Sequence, residues 1–205
     1  MRTPFTLKHA PLSVAIVFAL FAFVAPPETK LKVDTKSSTL VWTGRKVTGS
    51  HTGNVPISAG ELVLNGKNIT AGSFEIDVNG LTNTDVTSAE YNAKLVGHLK
   101  SDDFFGTTKY PKANFVVTSV TPTSGNDYTV RGKLTIKGIT NEIEFPANIV
   151  TDGKQLTATA RIVVDRSKFD IRYGSTSFFD NLGDKAISND FELDLKLVAN
   201  QGSGI

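Results

Sequence analysis

The chain has 205 residues, 40% of them hydrophobic, with 22 Lys+Arg against 20 Asp+Glu and no Cys. That length suits one domain with a sizeable core, and that composition excludes a disordered chain. Without Cys there is no disulfide, no thiolate metal site, no Cys nucleophile and no thiol to carry a lipid.

The first element is an export signal. Arg2, Lys8 and His9 precede the apolar run PLSVAIVFALFAFVA, which ends near Ala25. A basic stretch, then ~7–15 apolar residues and a small residue, is the secretory pattern. The run is shorter than the ~20 residues of a spanning helix, and Pro26-Pro27 follows at once. Residues 1–25 therefore read as a signal peptide and 26–205 as the mature domain, with an uncleaved anchor as the alternative. Phe23 is bulky for its place in the cleavage pattern, so the mature start is placed only near residue 26. Taking Arg2 and Lys8 from the 22 basic residues leaves 20, against 20 acids. No basic stripe remains for nucleic acid or for an anionic membrane face. The expected location is the periplasm or outside the cell, with no membrane span once the signal is removed.

Strand candidates then lie around residues 38–47, 55–64 and 69–80. A helical segment interrupts them. Thr87 to Glu90 has the T-x-x-E spacing of a capping box, with Thr87 as N-cap. Tyr91, Leu95 and Leu99 follow at four-residue steps and share one helix face. Ser101 before Asp102-Asp103 reads as a second helix start, followed by Phe104 and Phe105 and ended by Gly106. In a barrel, a segment over about 88–105 lies across an end or against an outer wall.

A strand around 113–121 follows, and then four stretches alternate with period two. Tyr128, Val130, Leu134 and Ile136 face one way, and Thr129, Arg131, Lys133 and Lys137 the other. Ile143, Phe145, Ala147 and Ile149 alternate with Glu142, Glu144 and Asn148. Leu156, Ala158, Ala160, Ile162 and Val164 oppose Thr157, Thr159 and Arg161. Phe191, Leu193, Leu195 and Leu197 oppose Asp190, Glu192, Asp194 and Lys196. Turn signals at 124–127, 137–141 and 151–154 join them as a meander. About eight antiparallel strands, each with a dry and a wet face, make an all-β fold. They close into a barrel or pack as a sandwich. Of the two, a barrel removes exposed edges and is wide enough for one small ligand.

Three segments, HLKSDDFFGTTKYPKANF, GKLTIKGITNEIEFP and DRSKFDIRYGS, resemble the signature segments of the YceI-like family over roughly residues 30–199. The resemblance implies an eight-stranded antiparallel lipocalin-like barrel with the helical segment across one end. It also implies export, and binding of a long isoprenoid or related lipid inside the barrel. VWTGRKVTGSHTG departs from the family's usual early strand, which leaves the head-group end and the lipid type open.

On that resemblance the inward residues become candidate lining for a lipid tail. They are Trp42, Leu62, Phe74, Ile76, Phe115, Tyr128, Leu134, Phe145 and Phe191 on strands, Leu95, Leu99, Phe104 and Phe105 in the helical segment, and Phe178 and Phe179 in a loop. Such residues fill a solid core equally well. Head-group candidates are Arg45, Lys46, His51, Arg166, Arg172 and Tyr173, since Arg suits phosphate or carboxylate. A solvated network of Asp165, Arg166, Asp170 and Arg172 is the competing reading.

Catalytic readings are poorly supported. Of His51 and His98, only His98 has a Ser and an Asp nearby, Ser101 and Asp102, without a nucleophile elbow or oxyanion loop. No metal-ligand spacing, phosphate loop, dinucleotide fingerprint or C-x-x-C occurs. The expectation is a non-catalytic carrier or sequestering protein for an isoprenoid, quinone-like or fatty-acid lipid, without another cofactor. A homodimer is left open. The rival is a filled barrel acting in the envelope through its outer surface.

Overall fold

A computed structural model describes residues 28–202, so the apolar N-terminal run lies outside the described residues. The strands are β1 Glu28–Val33, β2 Thr39–Lys46, β3 Gly49–Asn54, β4 Ile57–Asn65, β5 Asn68–Asp77, β6 Lys112–Ser124, β7 Asp127–Ile136, β8 Ile139–Thr151, β9 Gln155–Asp165 and β10 Ile187–Gln201. One helix, α1, spans Ala89–Lys100.

Ten segments fill eight positions of a closed antiparallel barrel. The ring runs β1-β4-β5-β6-β7-β8-β9-β10 and returns from β10 to β1. The last step is short: Leu31 faces Gln201, Lys32 faces Asn200 and Val33 faces Ala199. β2 continues β1 along the same edge of β10, and β3 pairs with β2 before running on into β4. Two neighbouring strands are thus each broken once. At 34–38 the Asp34 carboxylate accepts from the amides of Lys36 and Ser37. The Ser38 hydroxyl accepts from Val198 N at 2.9 Å, which keeps the break stitched to β10. The segments at 28–33 and 49–54 are absent from the sequence reading.

The alternation holds where it was read. Val130, Leu134, Ile136, Phe145, Ala147, Ile149, Leu156, Ala158, Ile162, Val164 and Leu197 are buried, and their opposite-face neighbours are more exposed. Lys137 is an exception. It does not continue β7 but forms a two-residue turn with Gly138, at φ 51° and 76°. Both positive φ values mark the turn type that matches strand twist, and Gly reaches it without a Cβ penalty.

β8 and β9 pair only over Ala147–Thr151 and Leu156–Ala160. Beyond that they part. Arg166–Phe169, a short 3-10 turn, packs there against β8 and β10. Asn141 Nδ2 donates to Lys168 O at 2.9 Å, and Phe169 and Ile171 are fully buried. This segment caulks the gap.

α1 differs from the expectation in three ways. Its N-cap is Ser88, one residue after Thr87, and Ser88 accepts from Tyr91 N. Tyr91 is 66% exposed and leaves the apolar face to Leu95 and Leu99. Ser101 starts no second helix: it is the C-cap, and its hydroxyl donates to His98 O at 2.8 Å.

Candidate functional site

Four connections meet at one end of the barrel: the β2–β3 turn, the β5–β6 insertion carrying α1, the β7–β8 turn and the β9–β10 loop. The insertion lies over this end because β3 makes room for it. A Cβ on Gly53 would stand 1.9 Å from Thr82 O and 2.8 Å from Asn83 Cα. Trp42 Nε1 donates to Thr82 O at 2.9 Å from the barrel side. Lys137 Nζ donates to Asp102 O and Asp170 O, 3.2 and 3.3 Å away, and so joins the turn after α1 to the caulking segment.

Two cavities lie on the barrel axis. The upper one, about 180 Å³, sits under α1. Trp42, Ile76, Leu95, Leu99, Phe104, Phe105, Leu134 and Phe191 are among its walls, with Arg45, Lys46, His51 and Arg166 at its rim. The lower one, about 110 Å³, is walled by Leu62, Phe74, Phe115 and Phe145, with further aliphatic residues. Phe115 stands 5.7 Å from Phe145 and 6.3 Å from Phe74, centroid to centroid. Leu40, Ile76, Leu134 and Leu193 belong to both cavities and form the waist between them.

Some candidates stand elsewhere. Tyr128 is partly buried against the core but borders a separate open groove and lines neither cavity. Phe178 and Phe179 are 40% and 49% exposed on the β9–β10 loop and line neither. Loop position carries no period from which sequence can read a facing direction.

The rim candidates also separate. Arg166 is 4% exposed. Its Nε donates to Ser188 O, its Nη1 to Ile171 O and Tyr173 O, and its Nη2 to Ile187 O, at 2.9–3.0 Å. Four of its five N–H groups are thus spent on neutral carbonyls, and burial lowers its pKa. It is a staple between the caulking segment and β10, not a member of a solvated acid–base network. Arg172 pairs with Asp170 in solvent. Arg45 pairs with Glu192, which also binds Arg161. Glu192 alternates with Phe191 and Leu193 and so points its carboxylate outward. Tyr173 is half-exposed, with His98 edge-on at 4.5 Å and Phe104 tilted at 5.4 Å.

His51 enters a latch that sequence spacing could not reveal. Its Nδ1 lies 2.8 Å from Asp85 Oδ2, and Asp85 Oδ1 accepts from Thr52 N at 2.8 Å and from Asn83 Nδ2. Asn92 of α1 donates to Asn83 O and Val86 O. The chain β3–Asp85–Asn83–α1 anchors the lid. Burial is the largest influence on Asp85 and works to raise its pKa. Hydrogen bonds from Thr52, His51 and Asn83 together outweigh it and hold the carboxyl at about 2. A depressed carboxylate stabilises fully above its ordinary value of 3.8 and loses that contribution as pH falls through about 2. Between those values the lid of the wild type should loosen, seen as a change in Trp42 emission. Asp85→Asn should flatten that step; an unchanged profile would remove the latch from the lid's acid response.

Among the described residues no group of three or more His, Asp or Glu is placed to hold a metal ion. The Ser101 hydroxyl addresses the main chain of His98, while the His98 imidazole faces Asp103 at 3.3 Å, so no Ser–His pair forms there.

A family profile described as the YceI-like domain matches residues 31–199. The chain is 32% identical over 95 residues to a UPF0312 protein of Shewanella denitrificans, and 34% over 94 residues to Protein YceI of Shigella flexneri. These matches cover 46% of this chain and 47% and 46% of those proteins, so the chain spans about half the length of the curated relatives it matches. Among solved structures, Burkholderia cenocepacia BcnA superposes with TM-score 0.60 at 23% identity, over 82% of this chain and 99% of that one. A polyisoprenoid binding domain from Saccharophagus degradans gives 0.60 at 16% identity, over 83% and 98%. The Campylobacter jejuni YCEI protein gives 0.53 at 18%, over 98% and 100%.

Proposed function

The chain belongs to the YceI-like domain family, and on that premise we propose that it holds the apolar tail of a long-chain lipid, an isoprenoid before other classes, in its barrel without catalysing a reaction. The observation that carries the reading is the continuous apolar wall from the underside of α1 through the waist to the Phe74–Phe115–Phe145 cluster. The Saccharophagus domain, named for polyisoprenoid binding, has the same fold.

Mechanism follows from partition. Each CH₂ taken from water contributes about 0.8 kcal/mol, and hydrocarbon asks for no polar partner in return. A cavity of ~150 Å³ suffices for a benzene-sized guest. The upper chamber, about 180 Å³, therefore takes about one isoprene unit as it stands. A longer tail continues through the waist, and the rings of the lower chamber turn to receive it. The polar head stays at the rim beside Lys46 and His51. Release is set by the lid. The apolar N-terminal run supports a role in the cell envelope.

Phe104 and Phe105 divide the lid's two tasks. Phe104 is buried against His98 and Tyr173, with the Arg166 guanidinium 6.0 Å from its ring. Phe104→Ala should cost about 3 kcal/mol in a denaturation series. Phe105 is partly buried, lines the upper cavity and meets Phe191 edge-on. Phe105→Ala should speed lipid release more than it lowers stability. Equal losses of both properties in the two variants would reduce the pair to core packing.

The test of the function is native mass spectrometry of protein purified without detergent, followed by organic extraction. A stoichiometric apolar adduct is expected. Trp42, the sole tryptophan, lines the upper cavity, so a bromoalkyl chain should quench it to saturation. A clean apo mass with no saturable quenching would favour a barrel that acts through its outer surface.

A further inference from the structure

We infer that the β9–β10 loop, led by Phe178 and Phe179, is a docking surface that seats the barrel mouth on a phospholipid bilayer; the inference rests on the lipid-binding reading above. Large apolar residues stand exposed at several places, but most stand singly on separate elements. Val47, Tyr173, Phe178 and Phe179 are different, because they gather at one rim. Val47 N, in the β2–β3 turn, donates to Ala186 O at 3.4 Å, and Ile187 N donates to Gly174 O at 2.8 Å. The turn and both ends of the loop are therefore stitched together.

The exposure of the two Phe residues is imposed by a buried anchor. The amides of Phe178 and Phe179 both donate to Ser175 O, at 3.1 and 3.0 Å. Ser175 is fully buried, and its hydroxyl donates to Asn189 Oδ1 at 2.6 Å. Asn189 Nδ2 in turn donates to Ser177 Oγ at 2.7 Å. The backbone is held from three sides, and neither ring enters a cavity. The folding of the loop itself gives no reason for two adjacent Phe side chains in water.

Position identifies the occupant. Ile187 and Ser188, which open β10 where the loop ends, line the upper cavity. A tail with no polar group passes between bilayer and barrel at least cost where the two touch, because it then crosses no water. Aromatic residues suit that boundary, and the Arg172 guanidinium, 4.9 Å from the Phe178 ring centroid, has an apolar stem that can lie along the acyl region with its charge at the head groups. Arg172 and Lys185 are offset along the loop by Asp180 and Asp184. Docking is therefore apolar and insensitive to salt, unlike that of a polybasic patch.

The test is flotation of the full mature chain with vesicles of phosphatidylethanolamine and phosphatidylglycerol, at low and high salt. The wild type should co-float equally at both. A Phe178→Ser, Phe179→Ser variant should lose at least about tenfold in partitioning, which is 1.4 kcal/mol, with its melting curve intact. Farnesol added from solution should reach the cavity of both proteins, displace a bound bromoalkyl quencher and restore Trp42 emission alike. Equal flotation of variant and wild type, or none by the wild type, overturns the surface. So does a doubled mass that the variant loses without any vesicle binding, which would make the loop a contact between copies. If the wild type floats and neither protein takes farnesol, the docking surface stands and the cargo reading fails.

Discussion

A Leu134→Phe variant is expected to bind a short prenyl chain as the wild type does and a long one at least about tenfold more weakly. Leu134 lies on β7 opposite Phe115 of β6, and it belongs to both chambers together with Leu40, Ile76 and Leu193. Enlarging a core side chain ordinarily costs about 1–3 kcal/mol because it strains its neighbours. Here the added atoms enter space that is already empty, so the melting temperature should scarcely move. The cost falls on the ligand. At about 0.8 kcal/mol per CH₂, keeping even two carbons out of the lower chamber accounts for the tenfold loss. Displacement of a bromoalkyl quencher of Trp42 by prenols of increasing length checks it. A uniform loss at every length would mean that the tail does not run through the waist.

The second expected result concerns the seat of the lid. Gly53→Ala should lower stability by about 3 kcal/mol, near the upper end for single substitutions, and should shift Trp42 emission to the red. The new methyl meets main-chain atoms, Thr82 O and Asn83 Cα, and no rotamer change relieves such a contact. The loop must lift. With it go the hydrogen bonds from Trp42 to Thr82 O and from Asn83 to Thr52 O, and then the hold on α1. Bound lipid should escape faster while the far-ultraviolet signal of the barrel persists. Gly97→Ala is the control, since nothing lies within 4 Å of its added carbon and Ala favours the helix by about 1 kcal/mol. If both variants lost lipid alike, the loop would not be the lid's support.

The part of this fold legible in sequence is the part in which each residue answers to one surface. β7, β8, β9 and the second half of β10 have one face in the core and one in water, so Val130, Phe145, Ile162 and Leu195 fall on a strict alternation. β3 does not show it, and β1 shows it over only six residues, with Thr29, Leu31 and Val33 inward and Glu28, Lys30 and Lys32 outward. ETKLKV and GSHTGN are short and polar, and their strand state comes from their partners: β4 and β10, remote in sequence, for the first, and β2, across a two-residue turn, for the second. The N-cap was misplaced by one residue because Thr87 and Ser88 are equally able acceptors, and only the direction of the incoming chain chooses between them. Arg166 shows the limit at the rim. DRSKFDIRY reads as alternating charge, yet four carbonyls from outside the turn itself or at its far end claim that guanidinium, and no spacing encodes a carbonyl. His51 and Asp85 are likewise joined only because β3 and the loop cross.

The seal between β1 and β10 has a bearing on biogenesis. The two strands that complete the ring are the first and the last described, and they meet through Leu31–Gln201, Lys32–Asn200 and Val33–Ala199. Every earlier pairing along β4 to β9 can form as the chain lengthens, but this one waits for the final strand. Until then the sheet is open at both edges, and contacts of such sequence separation form slowly. The nascent polypeptide is thus a flat apolar surface before it is a container, and it needs shielding for that interval. A stop codon before Leu197 would take away the whole β1–β10 seal while leaving Ile187–Lys196 paired to β2.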